Sequence, residues 1–142
     1  MQVFTMKVLL TLIVVIAVVE AGPVPSDCMA CICAVESNCN SNIGCNVDRG
    51  SYSCGPFQIK QPYYTDALTR SSNLGSGWVS CTTNKACAER TVQAYMTRYA
   101  TYSRLRHTPT CEDFARIHNG GPNGYRYSST IGYWNRVSAC LR

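Results

Sequence analysis

The acidic side chains are few enough to weigh one by one. The chain holds eight. Glu20 lies in an apolar N-terminal segment considered below, which leaves Asp27, Glu36, Asp48, Asp66, Glu89, Glu112 and Asp113. Most have structural explanations. Asp27 belongs to an N-terminal lead. Glu89 follows Lys85 by one helical turn, and Glu112 and Asp113 fall where a helix dipole favours acids. Glu36, Asp48 and Asp66 remain. Glu36 closes a run, Met29 to Val35, made only of apolar residues and cysteine. Desolvation there disfavours the charged form, which suits a general acid. Asp48 is the opposite case, since Arg49, Gly50, Ser51 and Ser53 make a polar turn around it, the setting of an ionised carboxylate. One protonated and one ionised carboxyl, about 5–5.5 Å apart, is the pair with which a retaining glycosidase works. Spacing alone leaves the plainer reading open: a helix-end Glu and a turn Asp with no joint role.

The elements that must position these residues follow from local pattern. CMACICAVES, residues 28–37, suits a short buried helix that ends near Glu36. A Gly- and Asn-rich stretch follows, then VDRGSYSCGPFQIK, whose turn residues and short apolar pieces predict a small hairpin around Asp48. Pro62 suits the first turn of a helix through Leu68. Residues 69–83 read as loop. Asn84 is the expected N-cap of the longest helix, 85–105, with Ala88, Val92, Tyr95, Met96 and Tyr99 on one face. Thr110 caps a helix over 111–118, and Asn119-Gly120-Gly121-Pro122 stops it. A last helix spans about 131–141. The fold class expected is α+β: a small, mostly helical domain with a short β-hairpin.

Residues 1–21 do not fit that domain. One Lys precedes an apolar run from Val8 to Val19, and Ala21 and Gly22 follow, the layout of a secretory signal peptide cut after Ala21. About a dozen apolar residues are too few for a membrane anchor, which needs ~20. Residues 22–142 then form a single domain that opens on a short flexible lead, 22–27. All ten cysteines lie in it, and an even count in a short exported chain reads as five disulfides. The cluster Cys28, Cys31 and Cys33 lacks a matching His cluster, so neither a metal nor a cofactor is implied. Losing Lys7 and Glu20 together leaves the net charge at +5, carried by ten Arg and two Lys. Such a chain is drawn to polyanions. No nucleic-acid-binding signature is present, so the bacterial envelope is the better candidate, but charge alone does not decide between them.

The motifs CMACICAVESNC, DRGSYSCGPFQIKQPYY, CAERTVQAYMTRY, CEDFARIHNGGPNG and IGYWNRVSAC closely resemble the invertebrate-type lysozymes, the family that includes the destabilases. The likeness runs from Cys28 to Cys140. It implies a lysozyme-like fold and a secreted glycoside hydrolase acting on the β-1,4 link between N-acetylmuramic acid and N-acetylglucosamine in peptidoglycan. The roles are antibacterial defence or digestion of bacteria. It places the proton donor on Glu36 and the nucleophile on Asp48. Sugar contacts would fall on Lys60, Tyr64, Tyr95, His118, Asn119 and Gly120. It also implies the pairs Cys28–Cys111, Cys31–Cys140, Cys33–Cys39, Cys45–Cys54 and Cys81–Cys87, which spacing alone could not choose. Family members often carry fourteen cysteines. Here Ala67 and Thr91 stand where one pair would be, and a second pair is missing near 105–109 and 124–128. Tyr63-Tyr64 replaces a common Tyr-Trp pair.

Two other functions compete. Destabilases also split isopeptide bonds, for which Ser51 or Ser53 with His118 as base would be the candidates, although turn hydrogen bonds and helix capping explain the same residues. A cationic, bridged protein can also harm bacteria by binding the envelope without catalysis. Lys60 could be a solvated charge, and Trp78 and Trp134 read as core rather than sugar platforms. The oligomeric state stays open between monomer and weak dimer.

Overall fold

The computed structural model describes residues 22–75 and 77–142, so the proposed signal peptide, 1–21, lies outside the described residues. Helix α1 (Ser26–Ser37) starts two residues earlier than the sequence suggests, with Asp27 in its first turn. It ends where Asn38 turns left-handed at φ 55°. Its buried side is Cys28, Met29, Cys31, Ile32 and Cys33. Two of those cysteines bolt α1 to the far end of the chain. Cys28 bridges to Cys111 at the start of α6 (Cys111–Gly120), and Cys31 to Cys140 in α7 (Ile131–Leu141). Cys33–Cys39, Cys45–Cys54 and Cys81–Cys87 close short loops, so all five pairs are those the resemblance implied.

A three-stranded antiparallel sheet, one strand more than expected, follows α1 in the order β1 (Cys45–Asp48), β2 (Ser51–Cys54), β3 (Ile59–Lys60). The β1–β2 connection is two residues long. Arg49 and Gly50 both take positive φ, 50° and 80°, the requirement of a turn whose twist matches the strands. Asp48 pairs with Ser51 and Asn46 with Ser53, so Asp48 and Ser53 share one face of the ribbon.

Helices α2 to α7 complete the frame. Helix α2 (Gln61–Leu68) carries Pro62 in its first turn, as expected. Asn84 caps α4 (Lys85–Tyr99) by accepting from the Cys87 amide at 2.9 Å. Thr110 and Asp113 form a reciprocal capping box on α6. Phe57, Ile32, Ile59, Leu74, Met96, Ile117, Val92 and Val137 fill the centre, all essentially without solvent exposure.

Three expectations need correction. The lead at 22–27 is not flexible: Gln93 accepts from the Val24 amide at 2.8 Å and donates to its carbonyl at 2.9 Å, and Val24 is buried. Within 69–83, residues Trp78–Thr82 form helix α3, and the Trp78 indole donates to the Ile59 carbonyl at 2.9 Å. The long helix stops at Tyr99 rather than near 105, because the Arg104 guanidinium takes the Tyr99 carbonyl at 2.9 Å and α5 (Tyr102–Leu105) starts afresh after Thr101.

Candidate active site

Glu36 sits in the last turn of α1, and its carboxyl faces a cleft of about 460 Å³ between the sheet and α2, α4, α6 and α7. Only 18% of the side chain is exposed. Its Oε1 accepts a hydrogen bond from the Tyr133 hydroxyl at 2.9 Å and lies 3.4 Å from His118 Nε2. Both contacts fall on the same oxygen. A carboxylic acid carries its proton on one oxygen, so the Tyr133 donor on Oε1 directs the acid proton to Oε2.

His118 is fixed from both sides. Its Nε2 lies 3.0 Å from the Phe57 carbonyl, which can only accept, so that nitrogen carries hydrogen. In the neutral ring Nδ1 is therefore the acceptor, and it takes the Tyr63 hydroxyl at 3.0 Å. Tyr63 stacks on Tyr95 with ring centroids 3.6 Å apart. Tyr95 meets Tyr99 at 4.8 Å, and the Tyr99 hydroxyl donates to Asp66 at 2.9 Å. This explains Asp66, the third unassigned acid: it anchors the outer end of an aromatic stack and pairs with Arg98 at 3.3 Å.

These phenols remain donors over a wide range of pH. Burial raises the Tyr133 pKa far above its usual value, and the charge of Glu36 and its hydrogen bond raise it further. Burial likewise raises Tyr63, with smaller contributions from Tyr95 and Glu36. Tyr95 is raised by burial and then by Tyr99 and Asp66.

Asp48 borders the same cleft from the tip of the β-ribbon, with 56% of its side chain exposed. The Lys60 ammonium lies 3.5 Å from Asp48 Oδ2, donates to the Asp48 carbonyl at 2.7 Å and donates to the Ser51 hydroxyl. Lys60 is thus a staple across the ribbon rather than a solvated charge.

The structure sorts the remaining expected residues. Lys60, Tyr95, His118 and Asn119 all line the cleft. Tyr64 does not: it is buried and donates to the Leu74 carbonyl at 2.9 Å. Successive residues of a helix point about 100° apart, and α2 turns Tyr63, not Tyr64, to the cleft. Gly120 also faces away. A Cβ there would meet the Thr130 methyl at 2.6 Å, so this glycine lets α6 approach the 128–130 turn. No hydrogen bond joins His118 to Ser51, while Ser53 lines the same cleft as His118. Both His118 nitrogens are engaged elsewhere, Ser51 is held by Lys60, and an ammonium offers no lone pair to take a serine proton. Sequence reasoning missed Tyr63, Tyr133 and Arg136, which also line the cleft. Tyr133 and Arg136 stand one helical turn apart on α7, a spacing that places them on one face. Among the described residues no group of three His, Cys, Asp or Glu could hold a metal ion.

A helical frame bolted by disulfides, an enclosed acid and an exposed carboxylate across one cleft define a small lysozyme-like hydrolase. Comparison with known proteins agrees. The Destabilase family model matches residues 25–140. "Lysozyme 1" of Crassostrea virginica is 51% identical over 120 residues, covering 84% of this chain and 61% of that protein. "Lysozyme" of Meretrix lusoria is 49% identical over 124 residues, covering 84% and 94%. The crystal structure of Tapes japonica lysozyme superposes with a TM-score of 0.73 at 45% identity, covering 82% and 90%. The chain belongs to the Destabilase family, that of the invertebrate-type lysozymes, and is a glycoside hydrolase of the lysozyme class.

Proposed function

We propose that this enzyme is secreted and cleaves the β-1,4 link between N-acetylmuramic acid and N-acetylglucosamine in bacterial peptidoglycan, with retention of configuration. The observation that carries the reading is the contrast between the two carboxyl groups bordering one cleft. Glu36 is enclosed, with the Tyr133 hydroxyl donating to its Oε1. Asp48 is open to the cleft, with an ammonium 3.5 Å from one oxygen. Glu36 Oε2 gives its proton to the glycosidic oxygen as that bond breaks. Asp48 attacks the anomeric carbon and holds the sugar as a glycosyl ester. Glu36, now a carboxylate, takes a proton from water, which hydrolyses the ester and restores both groups.

Secretion is supported by the signal-like residues 1–21 and by five disulfides, which belong to oxidising compartments. Among the described residues no helix is long and apolar enough to cross a membrane. The test is turbidity clearing of a Gram-positive wall suspension by wild type, Glu36→Gln and Asp48→Asn, with proton NMR of the first sugar product. Both variants should fall at least about a hundredfold, and the product should appear first as the β-anomer. Equal clearing by all three proteins would end the hydrolytic reading and leave envelope binding by a cationic protein. An α-anomer would remove Asp48 as nucleophile.

A further inference from the structure

The cleft contains a cation that the hydrolytic steps do not use. Arg136 lies on α7 and lines the cleft together with Glu36 and Asp48. Its guanidinium is held over the Tyr133 ring, 5.6 Å from the centroid. That ring is itself fixed, because its hydroxyl donates to Glu36. Arg136 is therefore tied in position relative to the acid by one rigid, buried aromatic side chain. The other basic side chains of the cleft are already engaged. Lys60 is paired with Asp48, and both ring nitrogens of His118 are engaged by Phe57 and Tyr63. Among the described residues Arg136 makes no ion pair within 4.0 Å, and it is exposed.

A positioned guanidinium without an anion, beside the bond-breaking acid, suits a carboxylate on the substrate. Its planar fork binds carboxylates through two parallel hydrogen bonds. The two sugars of the proposed substrate differ in one relevant way. N-acetylglucosamine is neutral, whereas the muramyl unit bears a lactyl ether carboxylate, or the carboxylates of a stem peptide once that group is amidated. We propose that Arg136 binds a carboxylate of the muramyl unit and so sets the preference for peptidoglycan strands over neutral N-acetylglucosamine polymers. This inference rests on the peptidoglycan reading above.

The experiment measures binding, so it does not depend on turnover. In a Glu36→Gln background, calorimetry gives the affinity for three probes. These are an alternating N-acetylglucosamine–N-acetylmuramic acid tetrasaccharide with free lactyl groups, the same glycan bearing stem peptides, and the N-acetylglucosamine tetramer. With Arg136 intact, the charged glycans should bind more tightly than the neutral one. Adding Arg136→Gln should shrink that ratio about 10- to 100-fold, the range of a charge-assisted hydrogen bond. Arg136→Lys should restore part of it. Loss of the ratio for the free lactyl glycan alone, or for the peptide-bearing glycan alone, says which carboxylate is read. An unchanged ratio overturns the proposal. So does an equal loss for all three probes, which would show that Arg136 merely supports Tyr133. If the intact protein binds none of them, the peptidoglycan reading itself fails, and this one with it.

Discussion

Replacing Tyr133 by Phe removes one atom and asks what the hydroxyl does for the acid. Tyr133 is buried and donates to Glu36 Oε1 at 2.9 Å. A hydrogen bond to a charged group is worth about 1.5–3 kcal/mol. If all of that were felt in the transition state, kcat would fall about 10- to 150-fold. The carboxyl is 18% exposed and His118 remains 3.4 Å away, so water and imidazole replace part of the loss. The lower part of the range, about 10- to 30-fold, is expected in kcat, with KM little altered, because Tyr133 orients the acid rather than binding sugar. Stability should drop by only about 1 kcal/mol, a few degrees in melting temperature. The decisive measurement is a double-mutant cycle. Once Glu36→Gln has removed the acid proton, there is nothing for the hydroxyl to direct, and Tyr133→Phe should then cost almost nothing more. Wild-type kcat in Tyr133→Phe, or the same fractional loss with and without Glu36, would refute the orienting role.

Three further outcomes follow from the same contacts. Lys60→Met removes the donor to the Asp48 carbonyl and Ser51, so kcat should fall roughly tenfold while melting moves by less than about 2 °C, because the side chain is partly exposed; a large drop in melting temperature with unchanged kcat would make Lys60 purely structural. Opening Cys28–Cys111 with paired Ala substitutions leaves Cys31–Cys140 closed, so the ring released is about 30 residues, for which chain entropy gives about 3.5 kcal/mol, and urea midpoints should shift accordingly; a shift below ~1 kcal/mol would show that core packing and Cys31–Cys140 hold α1 to α6 without it. Burial raises the pKa of Tyr63, Tyr95, Tyr99 and Tyr133 above that of an unfolded tyrosine, about 10. Their contribution to stability is therefore intact below pH ~10 and lost progressively above it, as the unfolded phenols ionise first. Urea midpoints from pH 8 to 11.5 should stay flat and then fall, and part of the phenolate absorbance should appear only as the fold opens; early ionisation of all nine tyrosines in the folded protein would contradict the buried stack.

What could be read from the sequence depended on distance along the chain. The caps at Asn84 and Thr110 were legible because each partner lies three residues away. The β-ribbon was legible because Arg49 and Gly50 sit between short apolar pieces. Glu36 stood out because its own neighbours are apolar. Its orienting partner did not, since Tyr133 lies 97 positions later and nothing local marks its hydroxyl as catalytic rather than structural. The exchange of Tyr64 for Tyr63 shows a second limit. Neighbouring tyrosines on a helix differ by a rotation of the helix about its axis, and packing against α4 and β3 sets that rotation. The clamp of Gln93 on Val24 spans 69 positions and was invisible for the same reason. Pairing of the distant cysteines required the family resemblance, because composition alone allows many connectivities.

The two carboxyl groups are supported in opposite ways, and their chemistry explains why. In the proposed mechanism Glu36 gives up a proton and later takes one back at the same oxygen, so its orientation matters in both half-reactions. It sits on a helix bridged to both α6 and α7, and its donor Tyr133 and its neighbour His118 come from those same two helices. The disulfides thus fix the acid relative to both side chains. In the same mechanism Asp48 approaches an anomeric carbon, forms a bond and releases it. It stands at the tip of a two-strand ribbon, more than half exposed. Across that ribbon it is held by Lys60 and, further back, by Cys45–Cys54. Mutations that loosen α1, α6 or α7 should therefore weaken proton transfer in both steps. Mutations in the ribbon should instead alter formation and breakdown of the glycosyl ester.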